Sequence, residues 1–235
     1  MWQLFRKILS KLNQTLKFSS DNINSMKVSD FTSLDKQITK SIFRHLLFEE
    51  TLKLNKKKGG GILEVGVGTG QGLCFFLKLQ EYYQDTRQIY AFDSFQGFPK
   101  GSKYDSQNFN LHGKPKYRFF SYTFVKEFLL ATGASNDQIN SIRFIQGYIP
   151  ESLKKFDNTP ITLLNLDLDL YQPTIDSLNY FWKYVLPGGV ILLDDYDGKA
   201  IEKWPGVKKA VDEFCENEGI SVMRGYGNLA YLRKI

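Results

Sequence analysis

From Gly59-Gly60-Gly61 onward, short apolar runs alternate with stretches of helix length, and few folds accept that pattern. The runs cover residues 62–65, 89–92, 142–145, 161–166 and 190–193. Each is short and mostly apolar, the mark of a strand buried in a parallel sheet. Helices are expected near residues 73–83, 124–132, 174–185 and 207–218. Such alternation implies an α/β, doubly wound, Rossmann-like fold with a mostly parallel sheet. The last two runs, residues 220–223 and 229–232, flank Gly225-Tyr226-Gly227-Asn228, a gap suited to an antiparallel hairpin. A chain of 235 residues that is 42% apolar can build one substantial core.

Residues 1–58 read as an N-terminal helical extension, and residues 59–235 as the main domain. Phe5, Ile8, Leu9, Leu12 and Leu16 recur at helical spacing, with Arg6, Lys7, Lys11 and Lys17 between them. This basic amphipathic helix is expected to pack on the main domain or on a second subunit, which makes a homodimer an expectation. A second helical pattern runs through Ile38, Ile42, Leu46 and Leu52.

Composition removes several classes. Two cysteines, Cys74 and Cys215, build no disulfide scaffold and show no metal-binding spacing. No apolar run is long enough to span a bilayer, so stable membrane insertion is not expected. The opening residues lack the pattern of a secretory signal, so a cytoplasmic setting is expected. The net charge of +6 comes with no nucleic-acid motif, and nucleic acid is not an expected partner.

The run Glu64-Val65-Gly66-Val67-Gly68-Thr69-Gly70-Gln71-Gly72 follows the first strand and opens a helix. Glycines there let the backbone turn tightly and approach a ligand. A dinucleotide fingerprint needs glycines at offsets 0, 2 and 5, and both registers fail, at Gln71 and at Leu73. The spacing ExGxGxG instead resembles the first motif of class I S-adenosylmethionine (SAM)-dependent methyltransferases. Asp93 ends the second strand, where a carboxylate is placed to accept two hydrogen bonds from ribose hydroxyls.

In Leu164-Asn165-Leu166-Asp167-Leu168-Asp169-Leu170, leucines alternate with polar residues. Asp167 and Asp169 would share one side if the strand stays extended, with Cα atoms about 6.6 Å apart. Asp194-Asp195 ends the run that follows the Pro187-Gly188-Gly189 turn. Neighbouring strands would gather all four acids at the carboxyl edge of the sheet, where open α/β sheets bind ligands. Four carboxylates repel one another unless a cation joins them, and hard oxygens suit Mg²⁺ or another hard divalent cation.

These acids, with Tyr171-Gln172-Pro173-Thr174, Asp194-Asp195-Tyr196, residues 92–99, residues 147–153 and Pro205-Gly206, resemble the macrocin O-methyltransferase family. Its members methylate sugar hydroxyls, and the resemblance covers residues 59–235. It implies a sugar-containing small molecule or glycan as acceptor and Mg²⁺ on Asp167, Asp194 and Asp195. It implies Asp169 as the general base. It also implies SAM contacts from Glu64, Gly66, Gly68, Thr69, Gly70, Asp93, Ser94 and Gly147. A phenolic acceptor of catechol type would suit the same cation, and a SAM-fold protein that binds without catalysis would keep the same motifs. Residues 101–122 carry Tyr104, Phe109, His112, Tyr117, Phe119, Phe120 and Tyr122, an aromatic segment expected to act as a lid over a sugar. His112 reads either as a surface residue or as an aid to proton removal.

Overall fold

A computed structural model of the chain describes residues 32–106, 112–113, 120–197 and 200–235. The amphipathic pattern from Phe5 to Leu16 lies outside the described residues, as do Phe109, Tyr117 and Phe119 of the aromatic segment. The chain divides into two compact units, Met1–Thr39 and Lys40–Ile235. Of the first, residues 32–39 are helical and open α1 (Thr32–Lys58). The second carries the rest of α1, which ends at Lys58.

In the second unit the strands are β1 (Gly61–Val65), β2 (Ile89–Asp93), β3 (Arg143–Gln146), β4 (Ile161–Leu166), β5 (Val185–Leu193), β6 (Met223–Arg224) and β7 (Ala230–Arg233). They form one sheet in the order β3-β2-β1-β4-β5-β7-β6. The first five are parallel, and β7 runs antiparallel to both β5 and β6. The expected hairpin is therefore present. Strand β5 begins five residues early, because Pro187-Gly188-Gly189 is absorbed as an irregularity within the strand instead of forming a turn before it.

The helices after α1 are α2 (Gln71–Tyr83), α3 (Tyr122–Ala131), α4 (Asn136–Ser141), α5 (Tyr171–Phe181), α6 (Ala200–Lys203) and α7 (Pro205–Glu218). Alternate strand residues feed two apolar layers, as period-two geometry requires. Leu63, Val65, Leu164, Leu166 and Ile191 meet Leu178 and Phe181 of α5 and Val211 and Phe214 of α7. On the other face Ile62, Leu163, Val190 and Leu192 meet α1, α2 and α3 through Phe48, Phe76 and Leu129. Helix α4 was not foreseen, although Ser135 and Gln138 form the capping box that a Ser-x-x-Gln spacing signals.

On α1 the expected helix is present, and its buried face is set by residues outside the Ile38-Ile42-Leu46 pattern. Ile38, Ile42 and Leu46 are exposed, while Phe43, Leu47, Phe48 and Thr51 are buried. The larger aromatic surface wins the core, since burial gain scales with apolar area. Arg87 locks this face down from within. Its guanidinium lies 4.4 Å over the Phe48 ring and donates to Thr51 Oγ1 at 2.7 Å, Thr162 Oγ1 at 3.1 Å and Asp85 Oδ2 at 2.7 Å. The charge is thus paired and hydrogen-bonded, which makes its burial tolerable.

Candidate active site

At the end of β1 the chain turns through Gly66, whose φ is 92°. A Cβ at Gly66 would lie 1.8 Å from the Asp167 carbonyl oxygen, so the glycine loop rests directly on the residue that follows β4. A Cβ at Gly72 would lie 2.1 Å from Glu64 Oε1, and the missing side chain is what leaves room for that carboxyl group. Glu64 is buried and accepts a 3.2 Å bond from Asn165 Nδ2, while its Oε2 has no hydrogen-bond partner. Burial outweighs the Arg44 charge and that bond, and pushes the Glu64 pKa up to about 7. Gly68, by contrast, has open space where a side chain would stand, so the outer side of the loop is free to meet a ligand.

Asp93 fastens this loop. Its Oδ2 accepts from the Val67 and Gly68 amides at 2.9 and 3.1 Å, and its Oδ1 accepts from Phe95 at 2.7 Å. Burial still raises its pKa despite these bonds. A carboxylate offers about four lone-pair sites. Three are in use and Ser94 Oγ lies 3.5 Å from Oδ1, so a ribose hydroxyl would share this carboxylate with the loop. Gly147 donates its amide to the Asp93 carbonyl at 3.0 Å, and Ser94 Oγ donates to the Gly97 carbonyl at 2.7 Å. Thr69 lies half-buried on the loop.

Strand β4 stops at Leu166 and does not stay extended through Asp169. Asp169 has φ 61°, and Leu170 donates to the Leu168 carbonyl at 2.7 Å, closing a three-residue turn. Asp195 follows β5 with φ 56°. Two aspartates in the left-handed region at adjacent strand ends are strained positions of the kind found at functional sites. The turn still brings the acids together. Oxygens of Asp167, Asp194 and Asp195 lie within 4.8 Å of one another. Asp169 hydrogen-bonds Asp195.

Their electrostatics diverge. Burial, then the Asp194 and Asp169 charges, holds the Asp167 pKa well above the carboxylate range. Burial and Asp195 do the same for Asp169. For Asp194 burial acts upward, but the Lys40 and Arg44 charges outweigh it and its pKa lies below the usual value. The hard oxygen donors, their convergence and their mutual repulsion fit a divalent cation.

Several residues escaped sequence reasoning. Lys40 of α1 forms an ion pair with Asp194, and Arg44 lies one helical turn further along. In a helix with many basic residues no signal set these two apart. Buried Asp105 accepts from Ser102 at 2.6 Å and from the first amide of α5, that of Tyr171, at 2.8 Å. It thereby ties the aromatic segment to the helix that follows the acid turn, and Tyr104 packs 4.5 Å from the Tyr171 ring. His112 is exposed, with Nδ1 3.1 Å from the Phe98 carbonyl.

Residues 47–223 match the family described as Macrocin-O-methyltransferase (TylF). The chain belongs to that family. Mycinamicin III 3''-O-methyltransferase of Micromonospora griseorubida is 30% identical over 169 residues, which are 69% of this chain and 63% of that protein. Demethyldecarbamoylnovobiocin O-methyltransferase of Streptomyces niveus is 28% identical over 66% of this chain and 58% of its own length. The chain therefore spans a little under two thirds of the relatives it matches. The O-methyltransferase NovP shares the fold with TM-score 0.70 at 22% identity, covering 84% of this chain and 80% of its own. CalS11, a calicheamicin methyltransferase, gives TM-score 0.70 at 25% identity, covering 95% and 90%. The family and these structures give the chain the class I SAM-dependent methyltransferase fold. Among the described residues no helix is long and apolar enough to cross a membrane.

Proposed function

We propose that this chain transfers the methyl group of SAM to a hydroxyl of a sugar-containing acceptor, with a hard divalent cation at Asp167, Asp194 and Asp195. The observation that carries the reading is the meeting of these acids with the glycine loop, at Gly66 against the Asp167 backbone. The family relatives supply the acceptor class. The glycine loop would receive the methionine end of SAM on the open side of Gly68, and the Asp93 carboxylate would take a ribose hydroxyl. When bound, the cation would gather acceptor oxygens and make a hydroxyl more acidic.

Asp169 receives the hydroxyl proton. Its raised pKa makes it a stronger base once ionised, while Asp195 beside it resists that ionisation until its own charge is balanced. SAM, when bound, would supply the methyl group for in-line transfer from sulfur to oxygen and leave as S-adenosylhomocysteine, and the remaining work of the protein is alignment. The test supplies the full chain with SAM and parallel panels of glycosides, nucleotide sugars and catechols, with Mg²⁺ and with EDTA. Methylated glycosides that appear only with Mg²⁺ are the expected result. Products on catechols alone would transfer the chemistry to phenolic acceptors, and no S-adenosylhomocysteine from any acceptor would overturn the reading.

A further inference from the structure

Lys40 and Arg44 of helix α1 lie before the family match, which begins at residue 47. Lys40, the first residue of the compact unit that holds the sheet, points its ammonium into the acid cluster. It pairs with Asp194 Oδ2, and the two side chains are only 18% and 9% exposed. Its charge also acts on Asp167 and Asp195. These are the three carboxylates that converge within 4.8 Å. Burial disfavours a lone ammonium there, and the Asp194 carboxylate paired with it makes that burial tolerable. Arg44 adds a second positive charge near Asp194 from the same helix.

A buried ammonium beside three carboxylates supplies part of what a divalent cation would supply. The two are like charges competing for the same oxygens in a poorly solvated site, where their repulsion is strong. Lysine is a compact charge on a flexible four-carbon stem, so it can leave without moving the helix. We propose that Lys40 is a tethered counter-ion of the acid cluster, and that a divalent cation binds by displacing its ammonium from Asp194. Lys40 thereby sets the strength with which the site takes the cation. The proposal rests on the cation reading given above.

The test is calorimetric titration of Mn²⁺ into the full-length wild type, Lys40→Met and Lys40→Arg near pH 7. Lys40→Met should bind Mn²⁺ at least tenfold more tightly than wild type, and Lys40→Arg, which keeps the charge, should stay close to wild type. A second measurement needs no variant. Acetylation of Lys40 by a water-soluble succinimidyl ester, followed by peptide mass spectrometry, should accelerate several-fold when Mg²⁺ is added to wild type. Equal or weaker Mn²⁺ binding by Lys40→Met would overturn the displacement, as would Lys40 acetylation that Mg²⁺ leaves unchanged or slows. Mn²⁺ binding that is alike in all three proteins removes the role of Lys40 alone, whereas no binding by any of them removes the cation reading with it.

Discussion

Asp169 occupies a left-handed backbone position that asparagine also tolerates. Asp169→Asn should therefore fold normally and bind S-adenosylhomocysteine within about threefold of wild type. Its kcat should fall by about 100-fold or more, the usual scale for a lost general base. Steady-state kinetics beside a binding titration separates the two effects. Glu64 provides a second residue-scale expectation. Its pKa rises from an ordinary 4.5 to about 7 on folding. That stability is fully present below pH 4.5 and is lost as pH rises through about 7. Glu64→Gln should remove a pH-dependent contribution of about 3 kcal/mol across that window, read from urea unfolding at several pH values. The acids themselves were legible in the sequence, because paired carboxylates after apolar runs are conspicuous. Their basic partners were not, since Lys40 and Arg44 owe their role to where a helix lands and not to any local pattern.

Among elements, the contact between the glycine loop and the end of β4 is the most demanding. Gly66→Ala places a methyl group against the Asp167 carbonyl, with backbone on both sides and nothing flexible to yield. A cost of about 3 kcal/mol, seen as a Tm lower by roughly 6–12 °C, is expected with loss of S-adenosylhomocysteine binding. Differential scanning calorimetry with and without ligand checks both. Strand positions were readable because a strand inside a parallel sheet leaves a short, mostly apolar run between stretches of helix length. The buried face of α1 was not legible because two apolar stripes compete on one helix, and only the packing of Phe43 and Phe48 decides between them. The three-residue turn at Asp169 was also hidden, since alternation of leucine with polar residues continues past the point where the backbone stops being extended.

At the scale of the whole molecule, the acid cluster couples stability to cation binding, because only the folded chain brings β4 and β5 side by side. Mg²⁺ at about 100 times its Kd should raise the unfolding free energy by about 2.7 kcal/mol. For a chain of this size that corresponds to a Tm higher by roughly 5–10 °C, reversed by EDTA. A thermal scan in each condition is sufficient. The fold class was legible as a whole because strand and helix alternate in order along the chain. The bonds from Asp93 to the amides of Val67, Gly68 and Phe95 have a different consequence, one of timing. The loop takes its shape when the chain folds, before any ligand arrives. A methyl donor then meets a rigid cradle, gives up little conformational entropy on entry, and need not wait for a segment to order itself.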